Sequence, residues 1–231
     1  MLMALDKIVA LVPMRHDSVR VVRKNYRPMC GKPLYAHIIE TLLACPEIDS
    51  VLVDTDSPVI LEGLERDYPE VKRLLRPEHM RADTLPMNDI LIYDTQQIDA
   101  DLYLQTHSTN PLLKASTISR AIAQLRANWP EYDSLFGVTR LQTRLWDANT
   151  QAVNHDPNVL LRTQDLPPIY EENSCIYLFT RENLVKRSNR IGYKPMMFEI
   201  EAQEAWDIDE EIDFSVAEAL MMQQLTHCED K

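Results

Sequence analysis

Short apolar runs alternate along the chain with longer amphipathic stretches. The first run, Ile8 to Val12, is continuously apolar, which is typical of a strand buried on both faces of a parallel sheet. The stretch 33–44 then places Leu34, Ile38 and Leu42 on one face of a helix. The same pattern predicts further strands at 50–54, 71–75, 102–105, 133–138, 174–179 and 194–200, and further helices at 58–67, 88–97, 116–128, 181–185 and 210–224.

Strand and helix alternate from residue 7 to about residue 138. This alternation predicts an α/β fold with a mainly parallel sheet, right-handed crossovers and helices on both faces. The pattern loosens over 139–170, which we expect to be a projecting subdomain or a dimerisation arm. The sequence therefore predicts a single domain over 1–231, with 139–170 as its projecting segment.

The composition is that of an ordinary globular protein. The chain has 231 residues, of which 45% are hydrophobic and 26% charged, and a formal net charge of -12. This charge argues against binding to nucleic acid or to a membrane surface, and no apolar run approaches the roughly 20 residues of a membrane span. Four scattered cysteines and no secretory pattern at the N-terminus predict a cytoplasmic protein with reduced thiols.

A cluster of basic residues follows the first predicted strand. Between Val12 and Leu34 there are six Lys and Arg residues and a single acidic residue, Asp17. Ligands of open α/β sheets bind beyond the carboxyl ends of strands, so this loop is placed to bind a polyphosphate. A solvated surface loop is the alternative. Because the chain has only four glycines and no glycine-rich phosphate loop, side chains have to supply the contacts.

An acidic segment near the C-terminus is the counterpart of this basic loop. Between Glu199 and Glu218 there are nine acidic residues and no Lys or Arg. On a strand, Asp207 and Asp209 would point to the same side, and such a pair suits Mg²⁺, which also takes water and phosphate oxygens. The alternative is that these carboxylates favour the start of the last helix. Together the two segments predict a nucleoside triphosphate, a metal ion and a phosphoryl-type displacement.

Six groups of residues carry a family resemblance. They are Val12-Pro13-Met14-Arg15 with Ser18, Lys24-Asn25 and Gly31-Lys32-Pro33-Leu34; Asp54-Thr55-Asp56; Arg76-Pro77 with Ala82-Asp83-Thr84; Leu104-Gln105 with Pro111-Leu112; Arg162-Thr163-Gln164-Asp165-Leu166-Pro167 with Tyr170, Asn173, Ile176 and Tyr177; and Asp207-Ile208-Asp209. In this order they resemble the motifs of the acylneuraminate cytidylyltransferase family, which includes CMP-sialic acid and CMP-Kdo synthetases. The resemblance spans about residues 8–219. It implies a Rossmann-like fold of the nucleotide-diphospho-sugar transferase type, and a reaction of CTP with an acidic α-keto sugar that releases pyrophosphate.

The resemblance also implies roles for individual residues. CTP would be bound by Arg15, Ser18, Lys24, Asn25, Arg76, Asp83 and Thr84, the last three bordering the cytosine. The acceptor would be contacted by Gln105, Arg162, Gln164, Asn173 and Tyr177. Asp207 and Asp209 would bind Mg²⁺, and the catalytic residues would be Arg15, Lys24 and Asp209. The family often forms dimers, so a homodimer through 139–170 is expected.

Several residues depart from the family pattern. Asp17 puts a negative charge in the phosphate loop, Val19 stands where a Lys usually follows the serine, and Ser174 replaces a Gly. His107 and Arg144 are either ligand contacts or ordinary surface residues. From the resemblance, the acceptor is expected to be a nonulosonic acid related to sialic acid. The alternatives are Kdo or another acceptor, and a non-catalytic nucleotide-binding relative, against which the Asp207 and Asp209 pair argues.

Overall fold

The computed structural model describes residues 5–18 and 20–229, with side chains up to residue 226; Val19 lies outside the described residues. The strands are β1 (Ile8–Met14), β2 (Pro28–Met29), β3 (Lys32–Pro33), β4 (Ser50–Thr55), β5 (Lys72–Leu75), β6 (Leu102–Gln105), β7 (Ser134–Leu141), β8 (Ile169–Phe179) and β9 (Pro195–Glu199). The helices are α1 (Leu34–Leu43), α2 (Pro58–Asp67), α3 (Met87–Gln97), α4 (Ala115–Asn128), α5 (Arg181–Arg187) and α6 (Glu211–Glu229), with 3-10 turns at Lys24–Tyr26, Glu78–Met80 and Thr163–Asp165.

Seven strands form one twisted sheet in the order β5-β4-β1-β6-β8-β7-β9. In the described part of this sheet, β8 runs antiparallel to its two neighbours and the other pairings are parallel. The α/β fold with a mainly parallel, Rossmann-like sheet is therefore confirmed. Among the described helices, none combines the length and the apolar composition that crossing a bilayer requires.

The central strand β1 is buried on both faces. Ile8 and Val12 pack into one large apolar cluster with α1 and α4, whereas Val9 and Leu11 pack into a second cluster on the opposite face. This two-sided burial explains why the sequence of β1 is continuously apolar rather than alternating. The parallel pairing of β1 with β4 and with β6 places the carboxyl ends of all three strands along one edge of the sheet.

The pair of strands β7 and β8 is longer than the sequence predicts. Their outer residues pair as Thr139 with Glu171 and Leu141 with Ile169, so the sheet extends into both ends of the predicted projecting segment. Cross-strand hydrogen bonding determines this extension, and a single strand's pattern does not contain it. Residues 142–168 connect the two strands, and the division into one domain with a projecting segment stays a prediction.

A third apolar cluster lies outside the sheet and joins two distant segments of the chain. It contains Val21 and Met29 from the basic loop, together with Ile208 and Phe214 from the acidic segment and α6. The guanidinium of Arg27 stacks 4.1 Å from the centre of the Phe214 ring and forms an ion pair with Glu211. This packing holds the C-terminal acidic segment against the loop that follows β1.

Gly63 of α2 provides a test of packing against helix propensity. Replacing Gly by Ala inside a helix normally raises the free energy of unfolding by about 1 kcal/mol. Here the added Cβ would collide with the hydroxyl of the buried Tyr35. Because overpacking costs about 1–3 kcal/mol, Gly63→Ala should lower the free energy of unfolding in urea. In a Tyr35→Phe background the same change should become neutral or stabilising; an equal loss in both backgrounds would contradict this account.

Candidate active site

A cavity of about 330 Å³ lies at the carboxyl ends of β1 and β6. We call it the basic cavity, and it is lined by Pro13, Met14, Arg15, Asp17, Ser18, Arg20, Lys24, Asn25, Asp83, His107, Ser108 and Thr109. The structure thus brings together the predicted nucleotide-binding residues of the loop after β1 and one residue, Asp83, of the predicted base-binding segment. Thr84 is exposed beside it.

Hydrogen bonds fix the mouth of the basic cavity. Arg15 pairs with the Asp83 carboxylate at 2.7 Å and also donates to the Asp83 carbonyl. The amide of Asn25 donates to the Arg15 carbonyl at 2.7 Å, and its oxygen accepts from the Ser108 hydroxyl at 2.8 Å. Both halves of the Asn25 amide are therefore engaged, and the residue links the loop after β1 to the loop after β6.

The basic loop and the acidic segment meet at this cavity. Arg20 forms an ion pair with Asp209 at 2.7 Å, and the Lys24 amine lies 3.6 Å from the same carboxylate. Lys24 also donates to the backbone carbonyl of Ile208 at 2.5 Å. Burial lowers the pKa of Lys24, and the charges of Asp209 and Asp207 oppose that shift. The basic loop and the acidic segment predicted from the sequence are therefore in direct contact in this site.

Asp207 has the features of a cation ligand. Its Oδ1 is buried and meets no hydrogen-bond partner among the described residues. Burial raises the pKa of Asp207, and the neighbouring Asp209 raises it further, whereas a hydrogen bond with Thr109 opposes the shift. No group of three or more His, Cys, Asp or Glu in the described part of the chain is arranged to hold a metal. A metal ion bound here would take the two aspartates and further ligands from water or substrate, which suits Mg²⁺.

A second cavity of about 430 Å³ is lined by Asp207, whose carboxylate is hydrogen-bonded to Thr109 of the basic cavity. We call it the acidic cavity because four carboxylates line it, those of Glu171, Glu172, Asp207 and Asp213, with Thr139, Leu141, Asn173, Ser174, Ala202, Ala205 and Trp206. Asn173, a predicted acceptor contact, donates to the Thr139 hydroxyl and accepts from the backbone N–H of Cys175. Ser174 has a φ of 58°, a left-handed conformation that favours glycine, the residue usual there in the resembling family.

Gln105, predicted to face the acceptor, is fully buried. Its Oε1 accepts from Arg190 at 2.5 Å, and its Nε2 donates to the Thr106 carbonyl and lies 2.9 Å from Nε2 of His107. Because the amide is the donor in this last contact, His107 accepts and carries its proton on Nδ1. Burial, together with the charges of Arg190 and Lys24, lowers the pKa of His107 to about 3, so the ring is neutral.

Tyr177, another predicted acceptor contact, is buried beneath Arg190. The guanidinium lies 3.5 Å from the centre of its ring, and its hydroxyl donates to Glu172. Burial raises the pKa of Tyr177 to about 12. Sequence reasoning missed Arg190, which lies in the loop after α5. No motif or periodic pattern singles it out, because its position depends on contacts with β6 and β8.

Neither cavity is lined by the three candidate contacts of the 142–168 segment, Arg144, Arg162 and Gln164. Arg162 is exposed and pairs with Asp165 at 2.7 Å, and Arg144 donates to the Leu161 carbonyl. Gln164 lines a third cavity, of about 350 Å³, which shares Thr139 and Ala202 with the acidic cavity. The structure therefore places Gln164 next to the acidic cavity, whereas Arg162 lines none of these three cavities.

Arg76, predicted to border the base, is buried rather than open to the basic cavity. Its Nε donates to Asp54 at 2.9 Å, and its carbonyl accepts from Arg81. Asp94 is hydrogen-bonded to Asp54, and neither Oδ1 of this pair meets any other donor among the described residues. Burial and the charge of Asp54 raise the pKa of Asp94 to about 8. A proton on Asp94 therefore satisfies both carboxyls, while Arg76 neutralises Asp54.

Comparison with known proteins points to one family. The family described as Cytidylyltransferase matches residues 9–230. A CMP-N,N'-diacetyllegionaminic acid synthase of Legionella pneumophila is 28% identical over 93% of this chain and 96% of its own. A 3-deoxy-manno-octulosonate cytidylyltransferase of Chlorobium phaeobacteroides is also 28% identical, over 84% of this chain and 81% of its own. The resemblance found in the sequence is thus confirmed.

Solved structures agree on the fold. A CMP:2-keto-3-deoxy-manno-octonic acid synthetase complexed with CTP superposes with a TM-score of 0.71, at 17% identity, over 94% of this chain and 99% of that one. At this identity the likeness establishes the architecture alone.

The shared proton of Asp94 predicts a pH dependence of stability. The folded protein keeps this proton up to about pH 8, whereas an unfolded chain loses it near pH 4. Between these values the folded state binds more protons, so the free energy of unfolding falls as the pH rises. Asp94→Asn removes the titration and supplies a permanent amide donor to Asp54. In urea unfolding the variant should therefore gain stability relative to the wild type from pH 5 to pH 8.

A matched control is Asp99→Asn, which removes an exposed carboxylate close to the end of the same helix. Its unfolding free energy should follow that of the wild type across the same pH range. If Asp94→Asn also runs parallel to the wild type, Asp94 is not the proton carrier.

Proposed function

The chain belongs to the cytidylyltransferase family and is a nucleotidyltransferase, and we propose that it transfers CMP from CTP to an acidic α-keto sugar of the nonulosonic acid class. One observation carries this proposal. Arg20 and Lys24 of the basic cavity reach Asp209, and Asp207 of the acidic cavity is hydrogen-bonded to Thr109 of the basic cavity. A cation-lined pocket beside a carboxylate pair suits a magnesium nucleotide and a second substrate.

The basic cavity is proposed to bind the triphosphate. Its cations Arg15, Arg20 and Lys24 now pair with Asp83 and Asp209. A triphosphate carries more negative charge than either carboxylate, so it would replace them as the partner of these cations. The exchange would release Asp209 for a metal ion. Asp17 also lines this cavity, and its charge opposes phosphate binding.

The magnesium site is proposed to consist of Asp207 and Asp209. The buried, unpartnered Oδ1 of Asp207 is the observation that fits it. When bound, Mg²⁺ would neutralise charge on the α-phosphate and on the departing pyrophosphate. Lys24 adjoins both aspartates and would stabilise the same charge from the protein side.

The acidic cavity is proposed to hold the acceptor. A hydroxyl oxygen of the sugar forms a bond to the α-phosphorus, the bond from that phosphorus to the bridging oxygen of pyrophosphate breaks, and the hydroxyl proton is released to water. The chain contributes orientation and charge neutralisation, which dominate such displacements. The relatives that carry equal identity are named for diacetyllegionaminic acid and for Kdo, so Kdo is the second candidate acceptor.

A pyrophosphate-release assay tests the function. Purified protein is given CTP and Mg²⁺ with N,N'-diacetyllegionaminic acid, N-acetylneuraminate or Kdo, one at a time. Release that requires both CTP and one of the acids supports the proposal, and the preferred acid identifies the acceptor class. CTP binding without release across all three acids would favour the non-catalytic alternative instead.

Asp209 provides the sharpest single test of the metal site. Asp209→Ala should lower kcat by two or more orders of magnitude, because charge neutralisation at the phosphate is lost. The matched control is Glu210→Ala, which removes the adjacent exposed carboxylate and should retain activity. When Mg²⁺ is titrated, only Asp209→Ala should need a higher Mg²⁺ concentration for half-maximal activity, because it has lost a metal ligand. Full activity of Asp209→Ala would rule out the assignment.

A homodimer is proposed on the basis of the 142–168 segment. This segment exposes several large apolar side chains, Trp146, Val153, Val159, Leu160 and Leu161, and Leu160 is 91% exposed. Several exposed large apolar side chains within one segment are typical of an interface. We also propose a cytoplasmic location, on the basis of the sequence alone, whose four cysteines are widely scattered.

Sedimentation provides the test of the dimer. Leu160→Asp should shift the protein from dimer to monomer at micromolar concentration, because a carboxylate would be buried without a partner. Val185→Asp, which changes a half-exposed valine on α5, is the control and should leave the assembly unchanged. A monomeric wild-type protein would contradict the proposal.

A further inference from the structure

The acidic cavity poses an electrostatic problem for the acceptor in the proposed reaction. Four carboxylates line it, and its lining includes no Lys or Arg. An α-keto sugar acid brings a further carboxylate, which would be repelled unless a cation lies close by. The problem rests on the proposed function, since only an anionic acceptor creates it.

Most cations around the two cavities already have carboxylate partners. Arg15 pairs with Asp83, and Arg20 and Lys24 pair with Asp209, all in the part of the site proposed for the triphosphate. These groups are needed there to balance the charge of the phosphates. These three cations are therefore not available to neutralise the carboxylate of a second substrate.

Arg190 is different from these cations. The one carboxylate in its ion-pair range among the described residues is Glu172, at 4.0 Å, and Glu172 already accepts the Tyr177 hydroxyl. The Arg190 side chain is only 16% exposed. Burial lowers its pKa, and a charge held in such surroundings is stabilised by a closer anion.

The guanidinium is also held in a defined orientation. It stacks on Tyr177 at 3.5 Å, one Nη1 donates to the buried Gln105 at 2.5 Å, and the backbone N–H of Arg190 donates to Asn88. A guanidinium has five N–H donors in a planar fork, so the bonds to Gln105 and Tyr177 leave donors for a planar anion. Arg190 does not itself line the acidic cavity, but its Nη2 lies 4.0 Å from Glu172, which does.

We propose that Arg190 binds the carboxylate of the acceptor. Gln105 is then a positioning residue, since it is fully buried and acts by holding the guanidinium. The neutral His107 supports Gln105 from the other side and lines the basic cavity, so the two substrates meet the same row of side chains.

Steady-state kinetics with N-acetylneuraminate, N,N'-diacetyllegionaminic acid and Kdo test the proposal. Arg190→Gln should raise the acceptor KM about 10- to 100-fold, the loss expected for a charge-assisted hydrogen bond. CTP affinity, measured by calorimetry, should stay within about twofold, because Arg190 is not among the residues that line the basic cavity. Arg190→Lys should recover only part of the loss, since an ammonium lacks the fork.

The C1 methyl ester of the preferred acid isolates the carboxylate. Wild-type protein should favour the acid over its ester, and Arg190→Gln should lose that preference. Arg120→Gln is the matched control, because Arg120 of α4 also lies over an aromatic ring, that of Phe198, but donates to Thr117, which lines neither cavity. An unchanged acid-to-ester ratio in Arg190→Gln would overturn the inference while leaving the cytidylyltransferase activity intact.

The two failures can be told apart. If the wild-type protein turns over none of the acids, the proposed function fails and the role of Arg190 fails with it. If Arg190→Gln does not fold, as judged by its unfolding midpoint, Arg190→Lys and the wild-type ester comparison still decide. A wild-type protein that accepts acid and ester equally well would overturn the inference without any variant.

Discussion

The apolar packing of two distant segments is the constraint on which the site depends. Val21 and Met29 of the basic loop are buried against Ile208 and Phe214. Ion pairs between exposed side chains contribute little stability in water, so they would not fix the site by themselves. The buried contacts do, and they leave the carbonyl of Ile208 where Lys24 donates to it. Electrostatic function here therefore rests on hydrophobic structure.

The pairing of charges within the site has a consequence for binding. Arg20 and Lys24 both pair with Asp209, so the cations of the site and this carboxylate partly neutralise each other. A triphosphate that takes the cations frees Asp209, and a metal ion that takes Asp209 frees the cations. Each would favour the binding of the other, which is a positive coupling between nucleotide and metal.

The sequence predicted most of the fold, because β1 is apolar throughout and the helices show a 3.6-residue pattern. It underestimated β7 and β8, whose outer residues become strand only through pairing with each other. In the site, Lys24 and Asp209 could be predicted because each lies in a cluster of like charges, one basic and one acidic. Arg190 was not, because a single arginine in a loop has no pattern, and its significance comes from stacking on Tyr177.

Residues that match the family motifs do not all have polar groups free to bind a ligand. Asn25, Gln105 and Arg76 each have polar groups that are engaged by other parts of the protein. Burying such groups is tolerated only when hydrogen bonds satisfy them, so each position admits few residue types whether or not it touches a ligand. A motif match therefore identifies a site more reliably than it identifies its contacts. For Gln105, the same hydrogen bond explains both its place in the motif and the orientation of Arg190.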